Sequence, residues 1–598
     1  MKKRILAAAL CLSLLSGCGA APAELPEPEQ PENSSAVAYV PLDDRPDNVG
    51  RVQYLAESLG YTMHMPEEWM YKTLLDGQAE DYYTENGLTV AAETGQAGSP
   101  TDLYDWVLEQ EAAGCDRYIL SMDQLLYGGL VASRLAGTTA VRNGEAWSLT
   151  KLMEDLLSAL AADPNNEVWL LDSVMRLAPT VGYMDGSLEY YNAMRTFGAA
   201  PRKTLTGSEL TLDNIRDTYG TDADGNDLLD FGGDSALRYM EHRINKLTLS
   251  GDLLETVDRL DSGRFHVLIG IDDSSSEDCI QKNEIAYLRA RLRAGDVILS
   301  GVDDLAFKAV AKLYLGETGW NGAVANVQYF GGTEAQPACD YDYKPLTEIV
   351  AEHLDYFDLT AEDTPAFADF YVLVLTQPAD SSQKQTYIKD LIQVLKQRLD
   401  ANLPVILIDA GNGQYGTAFH DALTKETELG KLLSYAGFLD MAIVTGTALS
   451  HGVARYAHLT QGATSQAEEE AFCKTLADSL LKDFCYKNVV REDILAYVRN
   501  DLGGDPNNFC QPELDLDVIV DRLASGMEIA AAPVLKNLEH SNLLIGLKPH
   551  VDTTLAGWGA VSLSNYCFPW YRAFEIDMDL DIAPLTQPHK DILGIYYR

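Results

Sequence analysis

Short runs of aliphatic and β-branched residues recur along the chain, each followed by a turn signal and then by an amphipathic stretch of helical period. The runs fall at residues 37–42, 117–121, 167–171, 265–271, 296–300, 325–329, 370–375 and 404–408, with a weaker ninth at 441–444. Helical patterns lie between them at 49–58, 102–113, 149–161, 234–249, 277–293, 304–315 and 383–399. This alternation predicts right-handed βαβ units and a parallel sheet, an α/β fold class. Runs such as VLIGI and VILI are apolar throughout rather than alternating, so both faces of the sheet are expected to be covered. Eight strands suit a (β/α)8-like barrel, and two doubly wound domains would give the same string. The barrel is favoured here because acidic residues gather where the strands end. Residues 37–465 are read as this α/β body, catalytic or binding. From 466 the pattern turns to helices (466–481, 492–499, 514–524 and 528–537), so 466–598 is expected to be a mostly helical C-terminal part. Residues 180–233, rich in Gly, Asp, Asn and Tyr, make a long excursion after the third strand. Long loops on an α/β core are often functional.

The first residues follow a different logic. Met1-Lys2-Lys3-Arg4 is a positive start, and residues 5–15 are apolar except for Ser13. That run is too short to span a bilayer core of about 30 Å. It ends in Leu15-Ser16-Gly17-Cys18, which resembles the lipobox of bacterial lipoproteins. Residues 1–18 are thus read as a lipoprotein signal and lipobox, with Cys18 as the lipidation site. The segment 19–36 (GAAPAELPEPEQPENSSA) lacks the apolar residues to bury a core and reads as a tether. The expectation is a body held on the extracytoplasmic face of the cell membrane by its lipid alone.

Charge narrows the partners. Acidic residues number 90 against 45 basic. Such a chain repels phosphate backbones, which argues against nucleic-acid binding and leaves neutral or cationic ligands open. Cysteines after Cys18 are scattered and odd in number, with no C-x-x-C pair, so neither a disulfide framework nor a zinc knuckle is expected. No H-E-x-x-H, G-x-S-x-G or P-loop is present, and Gly128-Gly129 does not extend to a dinucleotide fingerprint.

What remains is carboxylates at strand ends. The first strand gives Asp43-Asp44-Arg45, then Asp47 and Asn48. The second gives Asp123, Tyr127 and Arg134, and the third Asp172 and Arg176. The fourth gives Asp272-Asp273 with Gln281, Lys282 and Glu284 behind, the fifth Asp303-Asp304, and the eighth Asp409 with Asn412. In parallel α/β folds these ends converge where ligands bind. A single such Asp is often a helix N-cap, the expectation for Asp304 and Asp47. Adjacent Asp-Asp pairs repel and require a cation, an arginine or a shared proton. A divalent metal held by Asp43, Asp44, Asp123 and Asp272 would be a hard ion such as Mg²⁺, Mn²⁺ or Ca²⁺. The arginines suit a carboxylate or phosphate on a substrate, or pairing with the Asp residues.

PLDDRP, SMDQLLYGGLVASR, IGIDDSSSEDCIQKNE, GVDDLA and FPWYRAFE together resemble a bacterial family of unknown function, domain of unknown function 4127. Where that family carries a W-N-T-x-x-N-T-L-G-type stretch, this chain reads FLDMAIVTGT from Phe438, without the tryptophan and asparagines. The family name implies no activity. A strand running straight into Asp-Asp, fourth in order, also resembles family 84-type hexosaminidases. That resemblance implies Asp272 orienting a 2-acetamido group and Asp273 as general acid/base, with no cofactor required. Tyr127, Tyr183, Tyr190, Tyr191, Tyr329, Trp570 and Tyr571 lie near these motifs and suit stacking on sugar faces. Three readings stay open. The favoured one is a surface-anchored glycoside hydrolase, on N-acetylhexosamine-containing glycans or other carbohydrate. The others are a metal-dependent hydrolase of another polar substrate and a non-catalytic glycan- or solute-binding lipoprotein.

Overall fold

The computed structural model describes residues 35–589 apart from 75–99, 143–144, 184–186, 229–232, 261–262, 439–440, 462–463 and 548–552. The signal, Cys18 and nearly all of the tether lie outside the described residues.

Seventeen strands are described. In chain order they are β1 (Ala36–Val40), β2 (Thr62–His64), β3 (Arg117–Ser121), β4 (Thr139–Arg142), β5 (Glu145–Ser148), β6 (Glu167–Val174), β7 (Phe265–Ile271), β8 (Val297–Ser300) and β9 (Ala323–Phe330). They continue with β10 (Leu359–Ala361), β11 (Phe370–Thr376), β12 (Val405–Ala410), β13 (Ser434–Gly437), β14 (Asn542–Gly546), β15 (Thr554–Gly557), β16 (Val561–Cys567) and β17 (Asp577–Ile582). Two parallel sheets dominate. The first has the order β2-β1-β3-β6-β7-β8 and the second β10-β9-β11-β12-β13. β4–β5, β14–β15 and β16–β17 are antiparallel pairs. Parallel α/β architecture is therefore shown. Among the described strands no pairing joins the two sheets or closes either into a ring, so a barrel is not shown. Each sheet runs second strand, first, third and onward, the order that places a switch point between its first and third strands.

The two-sided cover read from apolar strands follows from side-chain alternation. Ala36, Ala38 and Val40 of β1 enter one core, with the helices Leu149–Ala161 and Gly233–Leu260. Val37 and Tyr39 face the other way, into a core shared with Phe370, Val372 and Val374 of β11. Helices Gly50–Ser58, Leu305–Glu317, Leu346–Tyr356 and Met441–Gln461 fill that central layer. Tyr371, Leu373 and Leu375 of β11 face a third core, with Lys384–Asp400, Leu516–Glu539 and the C-terminal strand pairs. The described residues make one compact unit.

One expected strand is corrected. Residues 441–444 begin the helix Met441–Gln461, and the strand lies just upstream at Ser434–Gly437. A four-residue apolar run does not distinguish a strand from a buried helix. Here almost the whole helix is buried, so its apolar residues show no amphipathic period.

Candidate functional site

The first-sheet Asp residues singled out from the sequence sit at the C-terminal ends of its strands. Asp43 and Asp44 follow β1, Asp123 follows β3, Asp172 is in the last turns of β6, Asp272 and Asp273 follow β7, and Asp303 follows β8. Each Asp-Asp pair splits between two different cations. Asp43 accepts from the Arg45 guanidinium (2.7 Å), while Asp44 meets Lys72 (3.0 Å). Asp272 pairs with Arg134 (2.7 Å), and Asp273 with Arg176 (3.1 Å). Asp303 also meets Arg45 (2.5 Å), whereas Asp304 turns inward to Lys308 (2.8 Å).

Asp304 occupies the N-cap position of its helix but makes no capping bond, because buried Lys308 claims its carboxylate. Asp47 does not cap either. It pairs with Arg51 (3.2 Å) and Lys487 (3.6 Å), in a buried ionic cluster with Asp478, Asp483 and Lys482.

The side chains assemble into three neighbourhoods. The first is a small cleft of about 20 Å³ lined by Ile271, Asp272, Asp273, Ser300 to Asp303, Tyr341, Tyr343, Ala442 and Ile443. Arg45 reaches across from the β1 loop and joins Asp43 to Asp303 at its edge. Burial lifts the Asp303 carboxyl to about 6, against the pull of Arg45. Burial acts upward on Asp272 too, but Arg134 and Arg176 outweigh it and hold that carboxyl below its ordinary value. Arg134 is itself fixed by Thr180 (2.6 Å), the start of the long excursion. Asp272 Oδ1 accepts the Asp273 backbone N–H (2.8 Å), and Gln281 donates to the Asp272 carbonyl (2.9 Å). The β7 loop is thereby locked, with the Asp273 side chain left partly open to the cleft. Arg176 lies 5.2 Å from the Tyr191 ring, and Arg195 lies 4.3 Å from Tyr341, so aromatic rings flank this end.

The second neighbourhood lies behind the cleft. Lys246, from Gly233–Leu260, bonds Asp123 and Asp172 (3.2 Å to the latter) and sits 5.3 Å from the Tyr127 ring. Burial raises the Asp123 carboxyl, with Lys246 opposing. The third is the switch point beside β1. There Trp570 donates its indole N–H to Asp44 (2.8 Å) and lies 4.9 Å from the Arg45 guanidinium. Trp570 and Tyr571 both have left-handed backbones (φ 54° and 48°), a strained pair of a kind that concentrates at functional sites.

Asp409 and Asn412 are not brought to this rim. They follow β12 in the second sheet, where Asp409 accepts from Gly411 N (3.0 Å), Tyr435 (3.2 Å) and Asn488 (3.3 Å). The four carboxylates named for a metal, Asp43, Asp44, Asp123 and Asp272, are engaged separately by Arg45, Lys72, Lys246 and Arg134. Among the described residues no group of three or more His, Cys, Asp or Glu is placed to hold a metal ion.

Lys72, Lys246, Thr180 and Tyr341 were not singled out from the sequence. A lysine inside a long amphipathic helix carries no local sign that two distant carboxylates will meet it.

Residues 89–579 match the model of a family described as Protein of unknown function (DUF4127). The chain belongs to that family. No curated protein and no solved structure matches it. The matched span contains Asp123, Asp172, Asp272, Asp273, Asp303 and Trp570, whereas Asp43, Asp44 and Arg45 precede it. In this DUF4127 member the rim thus combines residues from inside and outside the matched span.

Proposed function

We propose that the β7–β8 cleft hydrolyses a glycosidic bond in a neutral carbohydrate, with Asp303 as proton donor and Asp273 as the second carboxylate. The observation that carries this reading is one cleft lined by two carboxylates in unlike environments, Asp303 raised to about 6 by burial and Asp273 ion-paired with Arg176. Carboxyl groups separated in this way by their surroundings divide acid and base roles between them. In the reaction the glycosidic C–O bond breaks and the Asp303 proton passes to the leaving oxygen. Water adds at the anomeric carbon and yields a proton to Asp273. Asp272, bound to Arg134 and to the Asp273 N–H, is a positioning residue rather than a proton carrier.

Charge supports a neutral substrate. Arg45, Arg134 and Arg176 are each paired with a carboxylate and Arg195 donates to the Ser274 and Asp340 carbonyls, so no guanidinium at this end is left without an acceptor for a phosphate to supply. N-acetylhexosaminides are the first substrates to try, because of the Asp-Asp resemblance. No described helix is long and apolar enough to cross a membrane, and attachment through lipid on Cys18 belongs to the same proposal.

A panel of chromogenic aryl glycosides, assayed with and without chelator, tests the reading. Turnover that survives chelator and falls about 10²- to 10⁴-fold in Asp303→Asn is expected, the usual weight of general acid catalysis. Binding of sugars without turnover would replace the hydrolase with a binding protein. Loss of turnover on chelation would replace it with a metal-dependent enzyme.

A further inference from the structure

A second cavity lies away from the carboxylate rim. It is an open groove of about 550 Å³ whose lining includes Arg117, Glu167, His266, Lys312, Glu317 and Trp320. Arg117 and Glu167 are the first residues of β3 and β6, and His266 is the second of β7, so the groove opens at the N-terminal ends of the same strands whose C-terminal ends carry the Asp residues.

Its chemistry differs from the cleft's. Trp169 and His266 are register partners on β6 and β7, and their rings stack at 4.2 Å with planes 20° apart. His266 is held by Glu167 (2.5 Å), and Trp320 by the Phe357 carbonyl (2.9 Å). The charges are paired among themselves. Arg117 meets Asp116 (2.7 Å) and Glu317 (2.5 Å), and Lys312 meets Asp358 (2.6 Å). Carboxylates exceed cations in the lining, so an anion is repelled. Each of these charged side chains has a polar partner within the groove. Trp169 and Tyr356 are themselves buried, so the ring faces on offer are those of the partly exposed His266 and Trp320, and these beside carboxylates that retain free lone pairs suit a ligand with apolar ring faces and many hydroxyl donors.

We propose that this groove is a second, non-catalytic binding site for a neutral saccharide chain. The proposal goes beyond the hydrolase reading and does not depend on it. Gly316 supplies the variant. It lines the groove, is exposed in Leu305–Glu317, and has no atom within 4 Å of where a Cβ would lie. Gly316→Phe therefore fills the groove without disturbing the core and replaces a poor helix former.

The full chain carrying Asp303→Asn, which removes turnover, is titrated calorimetrically with chitotetraose and with maltotetraose. Binding of at least one probe is expected, weakened about tenfold or more by Gly316→Phe and by His266→Ala, the scale of losing an interface anchor. Aryl-glycoside turnover by Gly316→Phe in the Asp303 background should stay within about twofold of the parent. Binding that both variants leave unchanged, or no binding of either probe, overturns the proposal. Groove binding in a chain that cleaves no glycoside would retain this site while discarding the hydrolase.

Discussion

The two parallel sheets share a strand order and differ in what closes their rims. At the switch point of the second sheet, β9 is followed by Gly331-Gly332-Thr333, and β11 ends at Thr376 and is followed by Gln377. A Cβ on Gly331 would lie 2.3 Å from Thr376 Oγ1, and Thr333 donates to the Gln377 carbonyl (2.8 Å). That end is sealed by uncharged chain. At the first sheet's switch point the space is filled instead by Asp44, Lys72 and Trp570, and Arg45 extends the charge network to the β7–β8 cleft. One topology therefore supplies two equivalent places, one filled by uncharged chain and the other by charged side chains. Fold alone does not identify a site; the side chains at the rim do.

Asparagine at each rim gives the largest contrast. Asp303→Asn should lower glycoside turnover about 10²- to 10⁴-fold, while Asp409→Asn should leave it within about twofold. If both variants lose turnover equally, the second rim is part of the site and the contrast fails. Turnover by the parent should also decline as pH rises past about 6, where Asp303 loses the proton it donates.

Breaking a single ion pair is expected to come next. Arg134→Met leaves the Asp272 carboxylate buried without its partner, which typically costs about 3–5 kcal/mol. A drop in the urea midpoint would measure it. The double variant Arg134→Met/Asp272→Asn should recover much of the loss, because no buried charge is then stranded. No recovery would mean that Arg134 acts through packing rather than charge.

The sequence displayed the strand-end carboxylates and the parallel α/β class because both are local. An apolar run followed by Asp is visible within ten residues. The partners were not, since Arg45–Asp303 and Lys246–Asp123 link residues more than 100 positions apart. The motif containing Trp570 was visible as FPWYRAFE, but nothing local says that its indole will reach Asp44. The same limit applied to the sheets. Eleven parallel strands in series do not reveal where one sheet stops, and the break between β8 and β9 is a question of pairing.

Titration separates the rims more gently. Asp303 and Asp409 are both raised to about 6 by burial. Between about pH 4 and pH 6 each binds more proton folded than unfolded, so each contributes stability at low pH that is lost as pH rises through its folded value. The loss is on the order of 1–3 kcal/mol per group. Thermal midpoints from pH 4 to 7 should show a fall, and Asp409→Asn should flatten it without changing turnover. An unchanged slope in that variant would show that Asp409 titrates like an exposed carboxylate.

The smallest effect tests whether the second rim is merely a turn. Asn412 has φ 46°, the left-handed region that costs most L-residues about 1–2 kcal/mol and that asparagine tolerates better. Its neighbour Asp409 already accepts the Gly411 N–H, so the turn is fixed from both sides. Asn412→Val should therefore lower stability by roughly 1–2 kcal/mol, since a β-branched side chain crowds that backbone most. Asn412→Gly relieves the strain but frees the unfolded chain, and the two nearly cancel, leaving a change within about 0.5 kcal/mol. Urea midpoints measured at constant slope would resolve both values. Glycoside turnover should be unaffected in either variant. If Asn412→Gly kept its midpoint and yet lost turnover, the asparagine side chain would be touching substrate, and the second sheet would have to be counted among the furnished rims.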